Sequence, residues 1–231
     1  MILALETSSK VSSVAVADEN RIASEVSTQT RFTHSETLLE NVQAALKIAE
    51  TDFENISAVA VGIGPGSFTG LRIGLATAKS FSYAWKIPII GVPTTEALAY
   101  HFSNTSSEVW QLIDAQKNSA YLGRFDCSEN IPQQIDDIKI LPIPEILSRA
   151  ENSQRRIIFQ GDIVDKKFAG KIELPANISI APIHLRLPRA ACVAVAGLNR
   201  LTKNLIDNVM NLEPMYLRRS EAEILFDRRQ A

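Results

Sequence analysis

The sequence predicts an α/β chain of two tandem lobes, and three observations carry that prediction. An order of strands and helices, β-β-β-α-β-α, is read twice along 231 residues. A polar, aperiodic stretch, Asn104-Thr105-Ser106-Ser107, separates the two readings. Five of the 10 glycines fall within residues 62–74, at the end of a short apolar run and the start of a proline-free one. With 45% hydrophobic residues the chain has enough apolar surface for two small cores. The expected divisions are residues 1–105 for a first lobe, 106–210 for a second, reduced lobe, and 211–231 for a C-terminal segment with a charged tail.

Residues 1–6 open the first lobe as a buried strand, and Thr7-Ser8-Ser9-Lys10 is a hydroxyl-rich turn. Residues 11–17 and 21–28 are the next two strands, linked through Asp18-Glu19-Asn20, so all three are antiparallel. Thr33-His34-Ser35-Glu36 spells a capping box, with Thr33 at the N-cap of a helix running to Ala49. Leu38, Leu39, Val42, Ala45, Leu46 and Ala49 recur at helical spacing along it. Residues 56–62 form a β-branched central strand, 71–85 a second helix, 88–92 a fifth strand and 94–102 a short helix. After the joint, strands are expected at 109–115, 120–125, 135–141 and 156–160, and helices at 144–149 and 188–205, the last with Pro188 near its start.

The central stretch, Gly64-Pro65-Gly66-Ser67-Phe68-Thr69-Gly70, is a strand-to-helix turn whose free amides could hold an anion. No standard catalytic loop fits its spelling. Gly70 is followed by Leu71-Arg72 where a phosphate-binding Walker loop needs Lys and a hydroxyl residue. Pro65 and Thr69 flank Ser67 where a nucleophile elbow needs glycines. Gly64, Gly66 and Gly70 are one residue too widely spaced for a dinucleotide fingerprint. In the helix that follows, Gly70, Gly74, Ala78 and Ser82 recur every fourth residue and make a smooth stripe open to another helix backbone. Leu71, Leu75, Ala78 and Trp85 form one apolar edge, with Ile73, Ala76 and Ala84 adding apolar surface elsewhere. Such a helix is covered on more than one side, by the lobe's own core or by a partner subunit.

The net charge of −2 argues against binding nucleic acid or membranes by bulk charge. The basic pairs, Lys166-Lys167 among them, read as solvated surface. Cys127 and Cys192 stand without a Cys-x-x-Cys spacing, and the chain enters its first strand directly, so a reduced cytoplasmic protein is expected. The apolar run 190–198 is too short to span a bilayer, and no membrane role is expected. His34, His101 and His184 lack metal-ligand spacing, so no metal site is expected.

Two successive units of this order predict the duplicated ribonuclease-H-like architecture of actin-like ATPases and sugar kinases (the ASKHA fold). That fold binds nucleotide phosphates between its lobes on the first hairpin, which makes Glu6, Thr7 and Ser8 the vestigial phosphate-loop candidates here. Fold alone licenses no function.

Four segments resemble one family. They are Ile2-Leu3-Ala4-Leu5-Glu6-Thr7-Ser8 with Ser13-Val14-Ala15, His34-Ser35-Glu36-x-Leu38-Leu39, the signature running from Gly64 to Gly74, and Pro214-Met215-Tyr216-Leu217-Arg218. The chain is similar to the TsaB (YeaZ) family of bacterial tRNA threonylcarbamoyladenosine biosynthesis proteins, closely over its first 100 or so residues and loosely between there and the end. The resemblance implies a non-catalytic paralogue of TsaD. Such a chain scaffolds a TsaD-like catalytic subunit, works with a TsaE-like ATPase, meets tRNA only indirectly and forms a homodimer when alone. The interface it implies comprises His34, Leu38, Leu39, Val42 and Leu46 on the first helix, and Gly70, Ile73, Gly74, Thr77, Ala78 and Phe81 on the second. Gly64, Pro65, Gly66, Ser67 and Thr69 are then a structural turn. No cofactor of the chain's own is implied, ATP and metal being held by the partner subunits. TsaD-type enzymes carry a His-x-x-x-His metal pair on the first helix, and here His34 is followed four residues on by Leu38. Glu6 stands where the family usually has Asp, and Asp114-Ala115-Gln116-Lys117-Asn118-Ser119-Ala120-Tyr121 lacks the Arg and Glu of the family's Asp-Ala-Arg…Glu-x-Tyr segment.

Two other classes are open to the sequence. An ATP-binding phosphotransferase or ATPase would use Glu6, Thr7, Ser8 and the Ser67/Thr69 turn. A peptidase would need an activated nucleophile or a metal, and Ser67 has neither beside it in sequence.

Overall fold

Two mixed sheets built to one plan make up the molecule, as described by a computed structural model for residues 1–29 and 34–217, His34 through its backbone alone. The first sheet contains β1 (Ile2–Glu6), β2 (Ser12–Ala17), β3 (Ile22–Thr28), β4 (Ala58–Gly64) and β5 (Ile89–Pro93), in the order β3-β2-β1-β4-β5. The first three strands are antiparallel, as their short links require, while β4 and β5 run parallel to β1. Crossovers through α1 (His34–Ile48) and α2 (Phe68–Trp85) make that parallel pairing possible.

The second sheet repeats this order. Its strands are β6 (Glu108–Asp114), β7 (Ser119–Asp126), β8 (Gln133–Gln134), β9 (Lys139–Pro142), β10 (Ile157–Gln160) and β11 (Ile178–Ile180). They lie as β8-β7-β6-β10-β11, with β9 also on β7. α4 (Ile143–Glu151) and α5 (Ile163–Lys167) follow the strands that α1 and α2 follow in the first lobe, and α3 (Thr94–Ala99) and α6 (Ala190–Thr202) close the two units.

Three sequence expectations need correction. The single strand expected at 135–141 is two short ones, because Asp136 turns its carboxylate to Arg124 Nη1 at 3.2 Å and its carbonyl oxygen accepts from Gln134 Nε2 at 2.8 Å. α5 and β11 were not anticipated; five and three residues are too few for a periodic signal. The last helix begins at Ala190 rather than Pro188, and although its sequence position puts it in the second lobe, it packs on the first sheet. Ala190, Val193, Ala194 and Ala196 sit among Ile2, Ala4, Ala58, Ala60 and Ile90. Small residues on both sides bring helix and sheet close: a Cβ at Gly197 would lie 2.7 Å from that of Ala60.

The opposite face of the first sheet is covered by α1 and α2. Leu38, Val42 and Leu46 of α1, with Leu75 and Ala78 of α2, join Leu3, Leu5, Val59 and Val61 in one apolar cluster. Near the end of α2, Phe81 stacks on Trp85 with ring centres 4.6 Å apart, and Phe53 lies tilted against Trp85 at 4.4 Å. Thr33 and the residues from Arg218 onward, the expected N-cap and the tail, lie outside the described residues.

Candidate functional site

The glycine signature and the first hairpin are one structure. Each of three consecutive residues at the end of β1, Glu6, Thr7 and Ser8, fills the place where a glycine has no side chain. A Cβ at Gly62 would overlap the Glu6 carboxylate, one at Gly74 the Thr7 hydroxyl, and one at Gly66 the Ser8 carbonyl oxygen. Hydrogen bonds fix the fit. Thr7 Oγ1 donates to Gly70 O at 2.8 Å, and Ser67 N donates to Ser8 O at 2.7 Å. Ser67 caps α2, its hydroxyl accepting from Gly70 N at 3.3 Å. Gly64, at φ +106°, takes the chain out of β4 in a conformation that disfavours any residue with a Cβ.

Glu6 and Thr7 are fully buried and Ser8 nearly so. Glu6 Oε1 accepts Ser8 N at 2.6 Å, while Oε2 faces Gly62 without a partner. Burial raises the carboxyl's pKa, with the bonds from Ser8 and Thr7 countering only in part.

A cleft of about 750 Å³ opens between the lobes. The first lobe contributes Ser8, Ser9, Lys10, Gly66, Ser67, Phe68 and Thr94, and the second Ile113 to Gln116, Tyr121, Asp162 and Lys166. The C-terminal segment forms one wall. Met215 N donates to Ile63 O at 2.7 Å, and Tyr216 packs on Phe68 with ring centres 5.0 Å apart. Arg72 lies 3.9 Å over the Phe68 ring and donates from Nε to Tyr216 Oη at 2.9 Å. The sequence offered Phe68, Arg72 and Tyr216 only as parts of two separate motifs.

Known proteins place this arrangement. The profile described as TsaD, tRNA N6-adenosine threonylcarbamoyltransferase, matches residues 22–226. A tRNA threonylcarbamoyladenosine biosynthesis protein TsaB from Bacillus subtilis is 26% identical over 225 residues, 96% of both chains. The protein of that name from Escherichia coli is 31% identical over 148 residues, 63% of this chain and 64% of its own. The chain belongs to the TsaB (YeaZ) branch of the TsaD family. The solved structure of YeaZ from Pseudomonas aeruginosa superposes with a TM-score of 0.75 at 22% identity, over 94% of this chain and 99% of that one. A ROK hexokinase from Thermus thermophilus shares the fold at a TM-score of 0.50 and 11% identity, covering 87% of this chain and 99% of its own. The ribonuclease-H-like, actin-like architecture expected from the repeated element order is therefore the one the TsaB-family chain has.

The architecture expected from the sequence would place nucleotide phosphates in the cleft, and the residues present do not fit a metal held with them. Glu6 is fully buried against Gly62 and does not line the cleft. Asp114 and Asp162 both bond the ammonium of Lys166, at 2.7 and 2.9 Å. Among the described residues no three His, Cys, Asp or Glu side chains converge as metal ligands.

The implied partner interface is only partly at the surface. Leu38, Val42, Leu46, Gly70, Gly74 and Ala78 are buried in the chain's own core, so they cannot meet a partner directly. The stripe of small residues on α2 lets the helix approach its own sheet, with Gly74 on Thr7, rather than a second helix. Leu39 is 55% exposed, while Ile73, Thr77 and Phe81 are half-buried. Tyr83, 74% exposed, and the exposed Ala76 and Ala84 extend the outward side of α2 and were not singled out as contacts. For His34 the side chain lies outside the described residues.

His101, Cys127 and Cys192 do not line the cleft. His101 is held near a pKa of about 4 by burial, its Nδ1 2.7 Å from Gln160 Nε2 and 3.1 Å from Leu185 O. Burial pushes both thiols, Cys127 and Cys192, up to about 12, far from the thiolate a nucleophile needs. Among the described residues no helix is long and apolar enough to cross a membrane.

Proposed function

We propose that this chain is a non-catalytic scaffold subunit in the biosynthesis of threonylcarbamoyladenosine in tRNA, supporting a TsaD-like catalytic subunit and pairing with itself when alone. The observation that carries the reading is the outward side of the α1–α2 pair. Leu39 of α1 and Ala76, Tyr83 and Ala84 of α2 stand exposed on helices whose inner faces are already filled, while Ile73 and Phe81 are half-buried against the core. Apolar side chains on a helix pair, aromatic ones above all, are what a packed protein contact buries.

The interior of the chain supports the non-catalytic part. Leu38, where the second histidine of a helix pair would stand, is a core residue. The Glu6 carboxyl is fully buried and does not line the cleft, and burial pushes both thiols up to about 12. In this reading ATP and metal belong to the TsaD-like and TsaE-like partners, tRNA reaches the complex through them, and the setting is the cytoplasm.

The test is co-elution with a TsaD-like subunit in size-exclusion chromatography with light scattering. A stable complex is expected, together with a dimer when the chain is alone. Separate elution of the two proteins at micromolar concentration would refute the scaffold reading.

A further inference from the structure

The interlobe cleft carries a cation of its own. Lys166 Nζ lies 2.7 Å from Asp114 Oδ2 and 2.9 Å from Asp162 Oδ2, and all three residues line the cleft. The two carboxylates come from separate elements, the end of β6 and the residue before α5. Their other oxygens are engaged as well: Asp162 Oδ1 accepts Asp114 N at 2.9 Å, and Asp114 Oδ1 accepts Gln116 N at 2.8 Å. Beyond Asp114 the turn continues through three residues of positive φ, Gln116 at 62°, Lys117 at 48° and Asn118 at 58°, a backbone that needs holding in place. In the same cleft Thr94 Oγ1 is buried with no hydrogen-bond partner among the described residues.

Two carboxylates converging on one point are hard oxygen donors of the kind a divalent cation takes, and they repel each other unless a cation lies between them. Here the point is taken by an ammonium group. For Asp114, burial opposes ionisation, but the bonds from Lys166 and Gln116 outweigh it and hold the carboxyl below its ordinary range. Lys166 is shifted the opposite way: burial lowers its pKa, the two carboxylates raise it, and the net direction is up.

We propose that Lys166 is a built-in replacement for a divalent cation in the interlobe cleft, neutralising Asp114 and Asp162, tying the β6–β7 turn to α5, and excluding a metal–polyphosphate ligand from the position such a ligand's metal would take. The proposal rests on the cleft alone and not on partner binding. A chain that fails to bind a TsaD-like subunit can still meet it, and one that binds that subunit can still fail it.

The experiment is a Mn²⁺ titration followed by electron paramagnetic resonance of the free ion, on the full chain and on Lys166→Met. Lys166→Gln serves as a second uncharged variant, should the first fold poorly. The wild type and Lys166→Arg are expected to show only weak, unsaturable binding. Each uncharged variant gains one saturable site, about tenfold or more tighter than the wild type, because two facing carboxylates are left without their cation. The gained site disappears when Asp162→Asn is added, and Mn²⁺ raises the thermal midpoint of the uncharged variants alone. Wild-type binding as tight as that of the variants would overturn the proposal, and so would no gained site in an uncharged variant that circular dichroism shows to be folded.

Discussion

Thr7 lies against Gly74 so closely that a methyl group on the glycine would overlap the threonine hydroxyl, which itself bonds Gly70 O at 2.8 Å. That contact ties the first strand's end to the second helix across more than 60 residues. It also moves Gly74 from an expected partner surface into the body of the lobe.

Gly74→Ala is therefore expected to destabilise the fold by about 1–3 kcal/mol through overpacking, outweighing the better helix propensity of alanine. Thr7→Ala removes the overlapping hydroxyl and gives up its hydrogen bond, at about 1 kcal/mol. In the double mutant the two costs do not add, because the second change relieves the first. Urea unfolding of the four proteins measures the coupling; strictly additive values would show that the two residues do not press on each other.

Glu6 predicts a pH dependence. Its pKa in the folded chain is raised above the ordinary 4.5, by burial first, so the folded state keeps the proton longer than the unfolded one. The stability it contributes is complete below 4.5 and is lost as the pH rises through the folded-state value, at a slope of up to about 1.4 kcal/mol per pH unit. Glu6→Gln removes that slope and stabilises the protein at neutral pH. Unfolding midpoints across pH 4 to 8, on the order of ten points per protein, decide the matter; parallel curves for both proteins would contradict the burial argument.

Leu39→Asp and Tyr83→Asp leave the thermal midpoint unchanged, since both side chains stand in solvent. Each is expected to weaken association with a TsaD-like subunit by about tenfold or more, by placing a charge in an apolar contact. Val42→Asp, by contrast, lowers the thermal midpoint, because Val42 belongs to the core. Surface plasmon resonance with calorimetry on the same three variants separates loss of binding from loss of folding.

Tyr216 supplies a test of the C-terminal wall. Tyr216→Phe keeps the ring on Phe68 and loses the bond from Arg72, costing about 1 kcal/mol or less at this half-exposed site. Tyr216→Ala loses both contacts and frees the Met215 amide, which otherwise donates to Ile63 O. Hydrogen exchange at Met215 is expected to accelerate in the alanine variant and to stay slow in the phenylalanine one.

Isothermal titration of ATP with Mg²⁺ into the chain alone is expected to show no micromolar binding, since Glu6 is sealed in and Lys166 holds both aspartates. Micromolar affinity with turnover would favour the phosphotransferase reading instead.

Much of this was legible in the sequence, and the reason is local. Residues 1–102 carry short apolar runs bounded by turn residues and clear helical patterns, so the five strands and three α-helices of the first lobe fall within a few residues of where they were expected. In the second lobe α5 and β11 escaped because elements so short carry no period. Their one local signal was Asp162 and Lys166 at a spacing of four, which marks neighbours on a helical turn. Lys166 had instead read as solvated surface, since its second partner, Asp114, lies 52 residues away.

By itself the sequence determined the element order of the first lobe, the broad repetition of that order in the second, the glycine turn and the family resemblance. The element order is written in propensities and periods and the turn in its glycine spelling, while the family is read from the motifs the chain shares with it. Only the tertiary structure decided which side of each helix meets water. Leu38 and Leu39 are adjacent leucines on α1, and one lies in the core while the other stands 55% exposed. The apolar pattern says that a helix must be covered, whereas the distance between helix and sheet says by what. On α2 that distance is set by glycines pressed onto Thr7 and its neighbours, so the small-residue stripe faces inward.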